Sequence, residues 1–339
     1  MKQLRKNKIS RVCVVDTVYS LFVYLLYSSE VELKNTYYFF QNGVAKSIRE
    51  KFANHYFFDK TEKINRNIIW LIINLCIIGC FRWPFLRTAE IFGHDHILLS
   101  IFIIGKRNYT YIEDGPKILS LHLKTKKYND YVKFWQNNSF SVTIRKFFYR
   151  FLSGICRRPV ANNKQCKAVI LTVDDDVPYI VGKVKHIIPL GNTWKNISEE
   201  KKQYILNIYN VSKDIITSLQ NKTHIILAQQ FDNPILDTEK INIYKEILKK
   251  YDPSCMVIKS HPRDTVDYKK YFPNIYVFDK PIPMQLLLLI GGLNIKKVIT
   301  ICSSSISLFP DSVEKEWLGS AVHPELYKLF QNLEYNIYA

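Results

Sequence analysis

A chain of 339 residues is too long for one typical core and suits two domains of about 150 residues each. Hydrophobic residues at 47% against charged residues at 23% exclude disorder, and 11 glycines exclude collagen-like or glycine-rich low-complexity structure. Lys+Arg 48 against Asp+Glu 30 leaves +18, which asks for a polyanionic partner: nucleic acid, anionic lipid or a phosphorylated substrate. Seven cysteines without regular spacing argue against a disulfide scaffold and for a reducing compartment.

The basic N-terminus (Lys2, Arg5, Lys6, Lys8, Arg11) before an apolar stretch imitates a signal peptide. Asp16 interrupts that stretch and no small-residue cleavage site follows, so residues 12–16 are predicted as a strand, residues 17–27 as a helix, and the protein as cytoplasmic. Residues 68–81 form a 14-residue apolar run holding Asn74, too short to span a bilayer and predicted as a core helix, with Cys76 and Cys80 packed inside it. His94 and His96 flank Asp95; a metal site and a loop of satisfied histidines both fit, the loop being commoner. Residues 96–104 (HILLSIFII) read as a strand buried on both faces. Residues 109–112 form a short strand that runs into Glu113-Asp114-Gly115-Pro116.

From Tyr131 to Val173 there is no acidic residue and there are eight basic ones. Within the segment 144–158, Ile144, Phe147, Phe148, Phe151 and Leu152 share one helical face with Arg145 and Arg150 towards its flanks. A helix lying in the headgroup plane of an anionic membrane and an ordinary core-packing helix both fit. Residues 168–173 are a strand stopped by Asp174-Asp175-Asp176, which offers either a metal-binding acidic pair or an acidic turn. Residues 178–198, with Pro178, Gly182, Pro189 and Gly191, are the predicted linker.

The second half alternates more clearly. A helical pattern covers 198–219, a strand 223–228, a helix from Asp237 to Lys250, and a strand 255–259 that runs into Ser260-His261-Pro262-Arg263. A strand at 275–278, a helix at 283–290 and a strand at 297–301 follow, the last opening onto Cys302-Ser303-Ser304-Ser305. Such alternation predicts an α/β chain of two Rossmann-like domains facing a cleft, 1–185 and 186–339, with ligands at the carboxyl ends of the strands.

Three signals at predicted strand ends carry chemistry. Glu113 and Asp114 are adjacent carboxylates, which disfavour joint ionisation and can raise one pKa towards that of a useful base; Gly115 would allow the turn that exposes them. Lys259, His261 and Arg263 place three basic groups where a phosphate or a departing anion could sit. Ser303, Ser304 and Ser305 offer hydroxyls and free N–H groups at a helix start, which suit phosphate oxygens.

Glu113-Asp114-Gly115, His261-Pro262 and Ser303-Ser304 resemble, in order, the acidic-acidic-Gly, His-Pro and paired Ser/Thr motifs of bacterial sialyltransferases, best those of glycosyltransferase family 52. The resemblance is most specific over residues 225–305. It implies a GT-B fold and an inverting transferase that uses CMP-sialic acid as donor, with no metal and no cofactor. By the same resemblance Asp114 would be the general base and Glu113 would orient it, with Asp237 and Asp232 as alternative bases. His261 would stabilise or protonate the departing phosphate, and Ser303, Ser304 and Ser305 would hold it. Lys259 and Pro262 would line the nucleotide pocket, Arg263 would meet the sugar carboxylate, and Gln285, where the family often has Glu, would reach the ribose. The implied acceptor is a terminal galactose of a lipid-linked capsular or lipooligosaccharide glycan at the inner face of the cytoplasmic membrane. A polysialyltransferase, a basic nucleic-acid-binding protein and a non-catalytic assembly protein are the competing readings, and a homodimer is allowed. No recognisable nucleic-acid module accompanies the basic residues.

Overall fold

The computed structural model describes residues 8–58, 82–97, 100, 103–123, 133, 137, 139, 143, 160–229, 234–261, 264, 266–324 and 326–327. The apolar run 68–81 with Cys76 and Cys80, the segment 144–158, Asp232, Pro262 and Arg263 lie outside them. The chain divides into two compact units, 1–205 and 206–339.

The first unit is built on seven parallel strands in the order β3-β2-β1-β4-β5-β6-β7. These are β1 (Arg11–Val15), β2 (Thr36–Phe40), β3 (His55–Phe57), β4 (Glu90–Gly93), β5 (Tyr109–Ile112), β6 (Cys166–Leu171) and β7 (Val184–Ile187). Val12, Cys13, Val14 and Val15 are wholly buried, as expected of a central parallel strand covered on both faces. The helix α1 (Val18–Tyr27) follows β1 and is buried from Val18 to Leu26. Its N-cap is Thr17, whose hydroxyl accepts from Ser20 N. Strand order turns at β1 and β4: the chain leaves these neighbours towards opposite edges, which opens a crevice beyond their carboxyl ends. At that point β4 runs very close to β1. A Cβ on Gly93, whose φ is +145°, would sit 2.1 Å from the Val14 carbonyl oxygen, so only glycine fits.

Three expectations fail here. The described residues of 96–104 form no strand. The chain bends at Asp95–Ile97, and Ser100 N and Ile104 N donate to Ile97 O and Ser100 O in helical fashion. Ile97, Ile103 and Ile104 fill the core, a duty that an apolar run can discharge as a helix as well as a strand. The strand is instead the four-residue β4 just before it. Residues 178–198 are not a linker. Pro178 opens a 3-10 turn, β7 pairs with β6 at the sheet edge, and the helix Leu190–Asn196 follows. Its prolines and glycines are turn punctuation within the first unit. The continuous helix at 198–219 is two helices, Glu199–Ile208 and Lys213–Gln220, interrupted where Asn210 takes φ +51°.

The second unit carries five parallel strands in the order β10-β9-β8-β11-β12. They are β8 (His224–Leu227), β9 (Met256–Lys259), β10 (Tyr276–Phe278), β11 (Lys297–Thr300) and β12 (Glu314–Trp317). The order turns again, between β8 and β11. Its core joins Ile226, Met256, Ile258 and Ile299 of the sheet to Tyr244 and Leu248 of the helix Pro234–Leu248. Asp237 therefore lies inside a helix that starts earlier than the sequence suggests. Among the described residues no helix is long and apolar enough to cross a membrane.

Candidate active site

Glu113 and Asp114 follow β5, Lys259 ends β9 with His261 just past it, and the serine run follows β11, all at the carboxyl ends of strands. In the first unit Asp114, two residues past β5, is held from three sides. Thr17 donates its hydroxyl to Asp114 Oδ1 at 2.8 Å, and Ser20 Oγ lies 3.4 Å from the same oxygen. His96 Nε2 lies 3.4 Å from Oδ2, and His94 Nε2 3.8 Å from Oδ1. The Asp114 side chain keeps 24% of its surface exposed, so a substrate can still reach it. Burial by itself would push this carboxyl up. The His94 and His96 imidazoles and the Thr17 hydroxyl outweigh it and hold the group well below the usual carboxylate range. The positive N-terminal end of α1 acts in the same direction.

The two histidines differ. His94 is fully buried, which pulls it down to about 4 and keeps it neutral at neutral pH. Ser20 Oγ donates to the Glu113 carbonyl oxygen at 2.8 Å, so the 2.7 Å contact between His94 Nε2 and Ser20 Oγ places the His94 proton on Nε2. His96 is part-exposed. Burial opposes its charged form, but the hydrogen bond and charge of Asp114 outweigh burial and raise it. Asp95, between them in sequence, turns into the core and accepts from Tyr109 Oη at 2.6 Å and Ala161 N at 2.8 Å.

Glu113 faces the other way, as consecutive residues past a strand do. It is wholly buried, and its Oε1 accepts from Tyr19 Oη and Thr172 Oγ1. Burial pushes it up to about 7. This corrects the expected carboxylate pair in two respects. The raised group is Glu113 and the depressed one Asp114, and the cause is burial, not their mutual repulsion. Gly115 does open a turn, its carbonyl accepting from Ile118 N at 3.3 Å, and the left-handed residue within that turn is Lys117, at φ +54°.

Asp175, a member of the acidic triplet after β6, is also structural. It is buried and accepts from Leu119 N at 2.7 Å and Ser120 N at 3.1 Å, capping the helix Ile118–Leu123. Asp174 and Asp176 pair with Lys185. Among the described residues the group able to hold a metal ion is another one, His94, His96 and Asp114, whose ligand atoms lie within 4.8 Å of one another.

In the second unit, β9 delivers Lys259 and the part-exposed His261. Asp264 N donates to the His261 carbonyl at 2.9 Å and closes the turn. The Asp264 carboxylate meets Lys240 Nζ at 3.0 Å and Tyr268 Oη at 2.7 Å in a buried cluster beneath it. Lys259 is a brace: its ammonium donates to the carbonyls of Ser260 at 3.1 Å and Lys280 at 3.3 Å. Burial pulls Lys259 down from its ordinary 10.5 to about 8, with Asp279 only partly offsetting it. Between those values the unfolded chain holds the proton more tightly, so stability rises with pH across that window by roughly 3 kcal/mol. Urea denaturation at the two ends of the window should show this rise in the wild type and its loss in Lys259→Met.

After β11, Ser303 N donates to Thr300 Oγ1 and Ser305 N to Ser303 Oγ, opening a 3-10 turn at Ser304–Leu308. These N–H groups are thus already used, and hydroxyls are what Ser303 and Ser305 can offer an anion. The Ser304 side chain, like that of Asp237, lies outside the described residues. Gln229, past β8, bridges the turning point of the sheet: its amide pairs with both Cys302 N (3.1 Å) and Cys302 O (3.2 Å) and so fixes the start of the serine run. Gln285 is buried in the first turn of the helix Met284–Ile290. Thr17, Ser20, Gln229 and the Lys240–Asp264 pair escaped the sequence reading. Only Thr17, a hydroxyl between a strand and a helix, carried a local signal, that of an N-cap.

Known proteins bear on this arrangement. An uncharacterized protein of Haemophilus influenzae is 30% identical over 252 residues, 74% of each chain. Two solved structures share the fold at low identity. The GT-B domain of a sialyltransferase from Photobacterium damselae matches with a TM-score of 0.53 at 13% identity, covering 90% of this chain and 89% of that one. An alpha/beta-galactoside alpha-2,3-sialyltransferase from Photobacterium phosphoreum matches with a TM-score of 0.52 at 12% identity, covering 92% and 90%. Glycosyltransferase family 52 matches residues 20–326. With both sheets parallel, turning points in each, and a family match over nearly the whole chain, this protein belongs to glycosyltransferase family 52 and is a glycosyltransferase of the GT-B type.

Proposed function

We propose that the enzyme is an inverting sialyltransferase that carries sialic acid from CMP-sialic acid to a terminal galactose of a lipid-linked capsular or lipooligosaccharide glycan, without a metal ion. The observation that carries this reading is Asp114: an ionised, part-exposed carboxylate fixed by Thr17 and His96 at the turning point of the first sheet. Transfer needs a group that is ionised at neutral pH and reaches the acceptor hydroxyl. A strongly depressed carboxylate suffices, because the hydroxyl becomes acidic as its oxygen bonds the anomeric carbon.

In this mechanism the acceptor oxygen attacks the anomeric carbon from the face opposite the nucleotide, and its proton passes to Asp114. The bond to the phosphate oxygen breaks, and the electron pair leaves with CMP. His261, donating a proton or a hydrogen bond, and the Ser303, Ser304 and Ser305 hydroxyls receive that charge. Arg263 meets the sugar carboxylate, and Pro262 and Gln285 border the nucleoside. Glu113 and Lys259 act from below, holding the two strand ends in place. The galactoside and sialic acid in this reading are supported by the fold shared with the alpha/beta-galactoside alpha-2,3-sialyltransferase of Photobacterium phosphoreum and by the three motifs in order. The lipid-linked acceptor and a peripheral place on the inner membrane face are supported by the net charge of +18 and the acid-free basic run. Thermal denaturation tests the donor: CMP should raise the midpoint, and uridine and guanosine monophosphates should not. Equal stabilisation by all three would reject the cytidine donor.

A further inference from the structure

We propose that His94, His96 and Asp114 form a reversible binding site for a zinc-class divalent cation, and that an occupied site blocks the catalytic carboxylate. Two imidazoles and one carboxylate are a donor set that zinc accepts, whereas magnesium and calcium favour all-oxygen shells. The three ligand atoms already lie within 4.8 Å of one another. A tetrahedral ion with ligands at about 2.0–2.2 Å needs ligand atoms roughly 3.3–3.6 Å apart. His96 Nε2 is already 3.4 Å from Oδ2 and His94 Nε2 3.8 Å from Oδ1, so a small rotation of the carboxyl would bring one oxygen to that spacing from both rings.

The geometry is prepared by the fold. The two rings stack, with centroids 4.9 Å apart and planes 25° apart, and each presents Nε2 to Asp114. His94 is anchored by its own backbone, donating from N to Val14 O at 3.0 Å and accepting at O from Ser100 Oγ. His96 and Asp114 keep 31% and 24% of their side-chain surface exposed, which gives an ion a route in and leaves a coordination position open to water. Asp16 and Asp95 add negative charge around His96.

One feature limits the affinity. To ligate, His94 Nε2 must give up its contact with Ser20 Oγ and move its proton to Nδ1, a buried atom with no hydrogen-bond partner among the described residues. A closed structural zinc site normally has that second nitrogen fixed by an acceptor. The cation is therefore exchangeable. Because it takes the Asp114 oxygen that would accept the acceptor's proton, it stops a reaction that itself uses no metal. This consequence rests on the role proposed for Asp114; the binding does not.

The test separates the two. The full chain, without donor or acceptor, is titrated with Co2+ and followed by visible absorption, then back-titrated with Zn2+. One Co2+ per chain should give the intense ligand-field bands of a low-coordinate site, and Zn2+ should displace them. His96→Gln, a change at a part-exposed position, should weaken binding at least tenfold, and His323→Gln in the other unit should leave it unchanged. Absence of the bands, or undiminished binding by the His96→Gln protein, overturns the site. In the transferase assay Zn2+ should lower kcat, as loss of the Asp114 base would, and chelator should reverse it. A metal that binds as described yet leaves transfer untouched removes Asp114 from the catalytic role while the site stands.

Discussion

Replacing Asp114 with asparagine should lower the rate of transfer by roughly 10²–10⁴-fold, the contribution typical of a positioned general base. Asparagine keeps the shape and can still accept from Thr17, whose hydroxyl holds Oδ1 at 2.8 Å, so the first sheet should remain folded. It cannot take a proton. The loss should fall on kcat, with CMP binding retained, because the groups assigned to the phosphate belong to β9 and β11 of the second sheet. Steady-state kinetics beside CMP titration resolve the two. Near-normal turnover in this variant would move the base to Asp237 or Asp232.

Lys240→Met should destabilise the second unit by about 3–5 kcal/mol. Lys240 and Asp264 are buried, with 0% and 1% of their side-chain surfaces exposed, and their charges lie 3.0 Å apart. Methionine fills the same space but leaves the Asp264 carboxylate in a low-dielectric interior where, among the described residues, Tyr268 Oη and Val266 N remain as donors. Removing one partner costs far more than removing both, so Lys240→Met/Asp264→Leu should recover most of the loss. Urea denaturation of the three proteins measures this. A Lys240→Met chain as stable as wild type would mean the pair adds nothing. The pair also bears on chemistry, because the Asp264 backbone closes the turn that carries His261. Transfer should therefore fall in both variants, even where the fold is restored.

What could be read from the sequence, and what could not, divides along physical lines. The strand before each motif was legible because residues 109–112, 256–259 and 297–300 are short apolar runs cut off by polar residues, as buried parallel strands are. β4 was not, because its four residues end in a glycine and stand beside the much stronger apolar run 96–104, whose described residues lie in bends and helical turns. Missing β4 hid the meaning of His94 and His96: residues that follow β4 stand next to residues that follow β5, so Asp114 finds imidazoles some twenty positions away. The opposite fates of Glu113 and Asp114 were equally hidden. Adjacency in the chain suggests repulsion, but the pleat sends the first into the core and the second to the crevice. Lys240 and Asp264 carry no local sign of their pairing, since 24 residues and a β-strand separate them.

The most direct measurement of the whole account is product analysis. The purified chain is incubated with CMP-sialic acid and a lactose-type acceptor, and acceptor mass and CMP are followed together. One sialyl residue should be gained per CMP released, with the product lost in both Asp114→Asn and His261→Ala although each still folds. Transfer that survives both substitutions, or that occurs from a uridine or guanosine sugar and not from CMP-sialic acid, would contradict it.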